Sequence, residues 1–265
     1  MALAPSPTHA SPPAASHQLR VLARAAWVTA LRQNAIYVLL LLLGIYAAAA
    51  VILRITGIET PQAARFVLGL GLQLGSVLSA ALALIGASRA LPPELEQRTI
   101  YPVLAKPVSR PVLLLGKALP IWLMSIGALL LFAVASLAIA PGLTYQMPMA
   151  LAQALMLKAL ALGVVTALAL ALSLYLPAAV GMLVAAALVF GGGMLANTMQ
   201  QASSPLLHWL GLALPDFSLF EQFTRYTDGG APLAPGALLP LCGYALLWGF
   251  LLAGLAARRF KRIAL

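Results

Sequence analysis

LPPELEQRTIYPVLAKPVSRPVLLLGKAL, residues Leu91–Leu119, is the longest charged stretch between two strongly apolar blocks. It carries Arg98, Lys106, Arg110 and Lys117, follows closely on Arg89, and holds Glu94 and Glu96, two of the six acids in the chain. On both sides the sequence turns to Leu, Ala, Val and Gly. The whole chain has the same character: of 265 residues, 62% are hydrophobic and 8% charged, with a mean hydropathy of +0.98. Soluble domains average about 25% charged residues. The reading is therefore an all-α integral membrane protein, and domain counts based on soluble chains do not apply.

Working outward from this stretch, six apolar runs approach the roughly 20 residues that a helix needs to cross a hydrocarbon core. They are Ile36–Leu53, Phe66–Ala87, Ala118–Ala140, Leu151–Tyr175, Ala178–Asn197 and Ala237–Ala257. The sequence thus predicts a six-span domain over residues 35–258, with the charged stretch as a loop over residues 88–117. Leu176-Pro177 alone separates the fourth run from the fifth, which calls for a tight helical hairpin because the residue before Pro disfavours helix. Gly191-Gly192-Gly193 near the end of the fifth run permits close packing or local unwinding, or marks a frayed helix end.

The flanks differ from the spans. Residues 1–16 are Pro-, Ala- and Ser-rich without a charged side chain, and are expected to be a disordered tail. They do not read as a signal peptide, since no basic region precedes an apolar run. In His17–Asn34, Leu19, Leu22, Ala23, Ala26, Ala30 and Leu31 recur at helical spacing, with Arg20, Arg24 and Arg32 largely elsewhere around the helix and Trp27 as an interfacial anchor. That pattern predicts an amphipathic helix on the membrane surface over residues 17–34. Residues 259–265 form a basic tail.

Orientation follows from Lys and Arg. With six spans, both termini share one side with the 88–117 loop. Twelve of the 16 basic residues lie on that side; Arg54, Arg65, Lys158 and Arg225 do not. The basic side is expected to be cytoplasmic, so a cell-membrane protein with both termini inside is predicted. The net charge of +10 is accounted for by this bias and needs no nucleic-acid partner. The last external segment, residues 199–236, holds SSPLLHWLGLALPDFSLFEQFTRY, too apolar for a solvated loop. Short helices dipping into the outer leaflet are expected there, with Asp216 capping the apolar run Phe217–Phe223.

Within the loop, Pro92-Pro93 is expected to end the second span's helix, Gln97–Ala105 is long enough for two helical turns, and Pro107 interrupts again. Ser109 can cap the next helix, with Pro111 tolerated in its first turn. Here the run ELEQRTIYPVLAKPVSRPVLLLGK resembles the cytoplasmic coupling loop of ABC type-2 permeases. Glu96, Arg98-Thr99, Val103–Arg110 and Leu115–Lys117 match that loop in order and spacing. The nearest group is the permease type linked to multicopper-enzyme maturation, and the likeness covers roughly residues 17–262. It implies two permease copies, identical or related, each docking a separate ATPase through a short helix of the loop. Glu94, Glu96, Arg98, Thr99, Tyr101, Lys106 and Arg110 are the residues it assigns to docking. ATP and Mg would be bound by that partner, and no cofactor belongs to this chain.

Other chemistry is not written in the sequence. No G-x-x-x-x-G-K-[ST] occurs, so ATP hydrolysis is expected elsewhere and the chain does not read as an enzyme. His9, His17 and His208 are scattered and Cys242 is the single cysteine, so no metal-ligand cluster is expected. Met147 and Met149 read as interfacial packing. The one intramembrane charge is Lys158, expected to snorkel to the outer interface, with contact to cargo as the functional alternative. A secondary transporter would call for midplane carboxylates and a membrane enzyme for clustered His, Asp or Glu; neither is visible. A scaffold driven by an ATPase without moving a solute stays open.

Overall fold

The computed structural model describes residues 35–55, 61–92, 110–139, 148–201, 204, 211 and 214–262. Among them every regular element is helical. The order is α1 (Ala35–Ile55), α2 (Pro61–Ser88), α3 (Arg110–Ile139), α4 (Pro148–Tyr175), α5 (Ala178–Gln200), a 3-10 turn (Ser218–Phe220), α6 (Phe223–Thr227) and α7 (Pro235–Arg262). In lipid a backbone must satisfy its own polar groups, and a helix does so within one segment. Five of these helices, α2, α3, α4, α5 and α7, are long and apolar enough to cross a membrane. α1 carries a shorter apolar stretch, Tyr37–Ile52. These helices point to a membrane-embedded, multi-pass chain. The tail and surface helix expected over residues 1–34 lie outside the described residues.

α4 is the central helix. It packs against α2, α3, α5, α7, α6 and the 3-10 turn, while α1 rests on α2 and α3. Its sequence is apolar on every side, as a helix surrounded by protein must be. Its neighbours α5 and α7 are largely uncovered, and so is α1. Leu41, Ile52, Leu183, Met194, Leu247 and Phe250 all point outward. So much contiguous apolar surface would drive aggregation in water; it suits acyl chains.

α2 and α3 approach closely because α2 offers glycine where they cross. A Cβ on Gly75 would lie 2.5 Å from Phe132 Cβ, and one on Gly71 would overlap the Ser136 and Tyr46 hydroxyl oxygens. The Tyr46 hydroxyl donates to Val67 O at 3.0 Å and so ties α1 to the same place. Because Phe132 meets Gly75 through its first side-chain carbon, no rotamer change relieves the clash. Gly75→Val is therefore expected to cost about 1–3 kcal/mol by overpacking, read as a lower unfolding midpoint in mild detergent; an unchanged midpoint would contradict this crossing.

Hydrogen bonds set the helix directions. Trp122 Nε1 of α3 donates to Ala159 O of α4 at 2.8 Å, which brings together two antiparallel helices at mid-length. The α4–α5 hairpin turns at Leu176-Pro177 as the sequence predicts: Leu176 N donates to Leu172 O at 2.9 Å, and Pro177 is the N-cap of α5. α5 runs unbroken through Gly191-Gly192-Gly193, without unwinding; Gly192 and Gly193 face the connecting segment closely, at Pro215 and at Asp216 and Ser218, while Gly191 faces open space. α2 ends at Ser88, four residues before Pro92, and the chain turns at Arg89–Leu91. Pro92 has no N–H to offer Ser88 O, four residues back, and in a continued helix its ring would clash with that carbonyl, so the helix end at Ser88 fits the proline's position.

Candidate functional site

Two places collect the polar chemistry of the bundle. The first is the base of the charged loop. Lys117, two turns into α3, donates from Nζ to Ala90 O at 2.9 Å, just past the end of α2. This closes the loop across its neck. Arg89 beside it is exposed. At the neighbouring helix ends, Arg259 Nε of α7 donates to Leu174 O at 3.4 Å, and its guanidinium lies 5.2 Å from the centre of the Tyr175 ring. A cation over the last carbonyls of α4 is favoured by the negative end of the helix dipole. The helix directions put both contacts at one end of the bundle, together with exposed Arg258 and Arg262. Glu94, Glu96, Arg98, Thr99, Tyr101 and Lys106 lie outside the described residues. Arg110 begins α3.

The second place is inside the bundle, around Lys158. Ten residues, about 15 Å of helix, separate it from the start of α4. Its side chain is only 8% exposed, and Nζ is ion-paired with Glu221 Oε1. The expectation that Lys158 snorkels to the outer interface is thus corrected. Lys158 lies on a buried face of α4, although Met149 and Met156 of the same helix are exposed, and a buried ammonium needs a counter-ion. Ser76 of α2 supplies a further ligand to the same carboxylate, its Oγ lying 3.1 and 3.2 Å from the two Glu221 oxygens. Ser79 Oγ donates in turn to Ser76 O at 2.9 Å. Beside the pair is a cavity of about 20 Å³ walled by Ala80, Ala161, Leu162, Val165, Val189, Phe190 and Phe217. That is room for about one water.

Glu221 arrives on the connecting segment between α5 and α7. Asp216 lies two residues ahead of the 3-10 turn: its Oδ1 accepts from Ser218 N at 2.9 Å and from Ser218 Oγ at 2.6 Å, while Phe217, not Asp216, holds the N-cap position. Gly193 makes room for this carboxylate, since a Cβ there would lie 2.7 Å from Asp216 Oδ1. Asp216 N donates to the Tyr244 hydroxyl at 2.9 Å, which anchors the segment to α7. Phe217, Phe220, Phe223 and Tyr226 are all buried, so the segment packs into the bundle. Burial pushes the Tyr226 phenol above its ordinary value, and its hydroxyl has no partner among the described residues. At the far end Gln153 of α4 clasps the chain with two bonds: Leu233 N donates to Oε1 at 2.7 Å, and Nε2 donates to Leu233 O at 3.1 Å.

Of the site residues proposed from sequence, Lys158 alone falls in this second cluster. Glu221 and Ser76 were missed. A signal for Glu221 was present: a lone acid between Phe217, Phe220 and Phe223 in an apolar segment has to be buried, and a buried carboxylate requires a cation. Lys158 was the one cation within the spans. Among the described residues no group of three or more His, Cys, Asp or Glu side chains comes together to hold a metal. No protein-family model matches this chain, and no curated protein matches it.

Proposed function

We propose that this chain is the permease subunit of an ATP-driven ABC exporter, with six spans, both termini in the cytoplasm and short external helices before the last span. It works as a pair of permeases, identical or related, and docks a separate ATPase through the 88–117 loop. The observation that carries the reading is the motif from Glu96 to Lys117, held between two closely packed helices. The Lys117–Ala90 bond at the neck supports it, since a loop pinned at its base passes a push into α2 and α3 instead of absorbing it.

An ATP-independent transporter is the second reading. One observation favours it: Lys158 and Glu221 put an ionisable pair inside the bundle, where such groups commonly mark solute or proton paths. An ATPase-coupled scaffold that moves no solute is a third possibility.

Purification of the chain from its native membrane in mild detergent, with mass spectrometry of what accompanies it, separates these readings. A stoichiometric protein bearing a P-loop supports the exporter. Recovery of the chain alone, even after crosslinking, removes it and leaves the ATP-independent reading. With the partner found, ATP turnover in proteoliposomes without any transported species would leave the scaffold. The topology has its own test: a reporter at the C-terminus is expected to read cytoplasmic and one at Asp228 external. An external C-terminus would rule out six spans.

A further inference from the structure

We infer that the Lys158–Glu221 pair is a latch that holds the segment Leu214–Thr227 closed over the space between α2, α4 and α5. The pair links the central helix to a connecting segment, not one spanning helix to another. That segment has little regular structure of its own, only a three-residue 3-10 turn and the five-residue α6. It is tied at one side by Asp216 to Tyr244 and at the other by Leu233 to Gln153. Between those ties lie three charged side chains. Arg225 Nε donates to Ala231 O in the same segment and Asp228 is exposed. Glu221 alone reaches into the bundle, where it meets Lys158 and Ser76.

The cavity lies beside this contact. Phe217, Phe220, Phe223 and Tyr226 pack the rest of the segment into the bundle; at Glu221 the packing leaves a one-water space, and there the charge pair makes the contact. A charge pair also makes the closure switch-like. The Lys158 side chain is 8% exposed and that of Glu221 32%, so the attraction is already partly screened on the Glu221 side and weakens further as the pair opens. Lifting Glu221 would admit water to the cavity, so partial opening favours full opening. The inference rests on neither the ATPase nor the transport reading.

The test is thiol accessibility in the full chain, reconstituted in lipid nanodiscs so that both faces are open to reagent. Cys242→Ser removes the native thiol, and Ala161→Cys puts a small probe on the buried cavity wall. The reagent is a charged methanethiosulfonate. Labelling is expected to be slow with the pair intact. Glu221→Gln, and separately Lys158→Met, should raise the rate about tenfold or more, because labelling of a buried thiol tracks the open population. Exchanging the two charges, Lys158→Glu with Glu221→Lys, should bring the rate back down. Glu221→Gln keeps the side-chain volume and so serves if Lys158→Met does not fold. Unchanged rates in folded single variants would overturn the latch. So would fast labelling in the exchanged pair, which would mean a loosened fold.

Discussion

Lys158→Met is expected to lower the unfolding midpoint of the chain by about 10 °C, corresponding to about 3 kcal/mol for a chain of this size. The substitution keeps an unbranched side chain of similar length and removes the ammonium. What is left is a carboxylate with the Ser76 hydroxyl as its hydrogen-bond donor. Removing one member of a buried pair costs about 3–5 kcal/mol, chiefly because the other charge stays desolvated. The Glu221 side chain is 32% exposed, which argues for the lower end. The double variant Lys158→Met with Glu221→Leu should recover most of the loss, since well-packed apolar replacements of a buried pair are often neutral or stabilising. Thermal unfolding in mild detergent reads both. A single variant with the parent's midpoint would mean that the pair carries no stability.

Glu96→Lys combined with Arg98→Glu is expected to reduce co-purification of the partner ATPase by about 100-fold or more. Opposed like charges at an interface cost several kcal/mol, and each 1.4 kcal/mol is tenfold in affinity. The pairing is chosen so that the net charge of the loop does not change. The positive bias that sets orientation is then preserved, and insertion should be normal by the Asp228 reporter. Loss of the ATPase with normal insertion assigns docking to these two side chains. Stoichiometric recovery of the ATPase with the double variant would remove them from the docking surface.

The helices were legible for a simple reason. A run of about 20 apolar residues has one stable backbone in lipid, whatever surrounds it. The apolar runs coincide with helices of the structure, the third as far as Ile139 where the described residues stop, and the Leu176-Pro177 hairpin falls at its expected place. The ends were less legible. α2 starts at Pro61, ahead of its apolar run at Phe66, whereas α3 starts at Arg110, directly after Ser109, the cap residue read from the sequence. Hydropathy reports the solvent around a residue, whereas a helix continues for as long as its hydrogen bonds are satisfied.

The class of structure, the approximate helix positions, the charge asymmetry and the apolar nature of the segment before α7 can all be read from the chain alone. Each is a property of one stretch and its solvent. Which helix is central and which charges meet depends on packing between distant stretches. Lys158 and Glu221 are 63 residues apart, on elements with no local relation. Lys158 reads as a snorkelling side chain on any helix that faces lipid. It becomes a buried cation because α2, α3, α5 and α7 all pack on α4, and only that enclosure forces it to take its counter-ion from a distant segment.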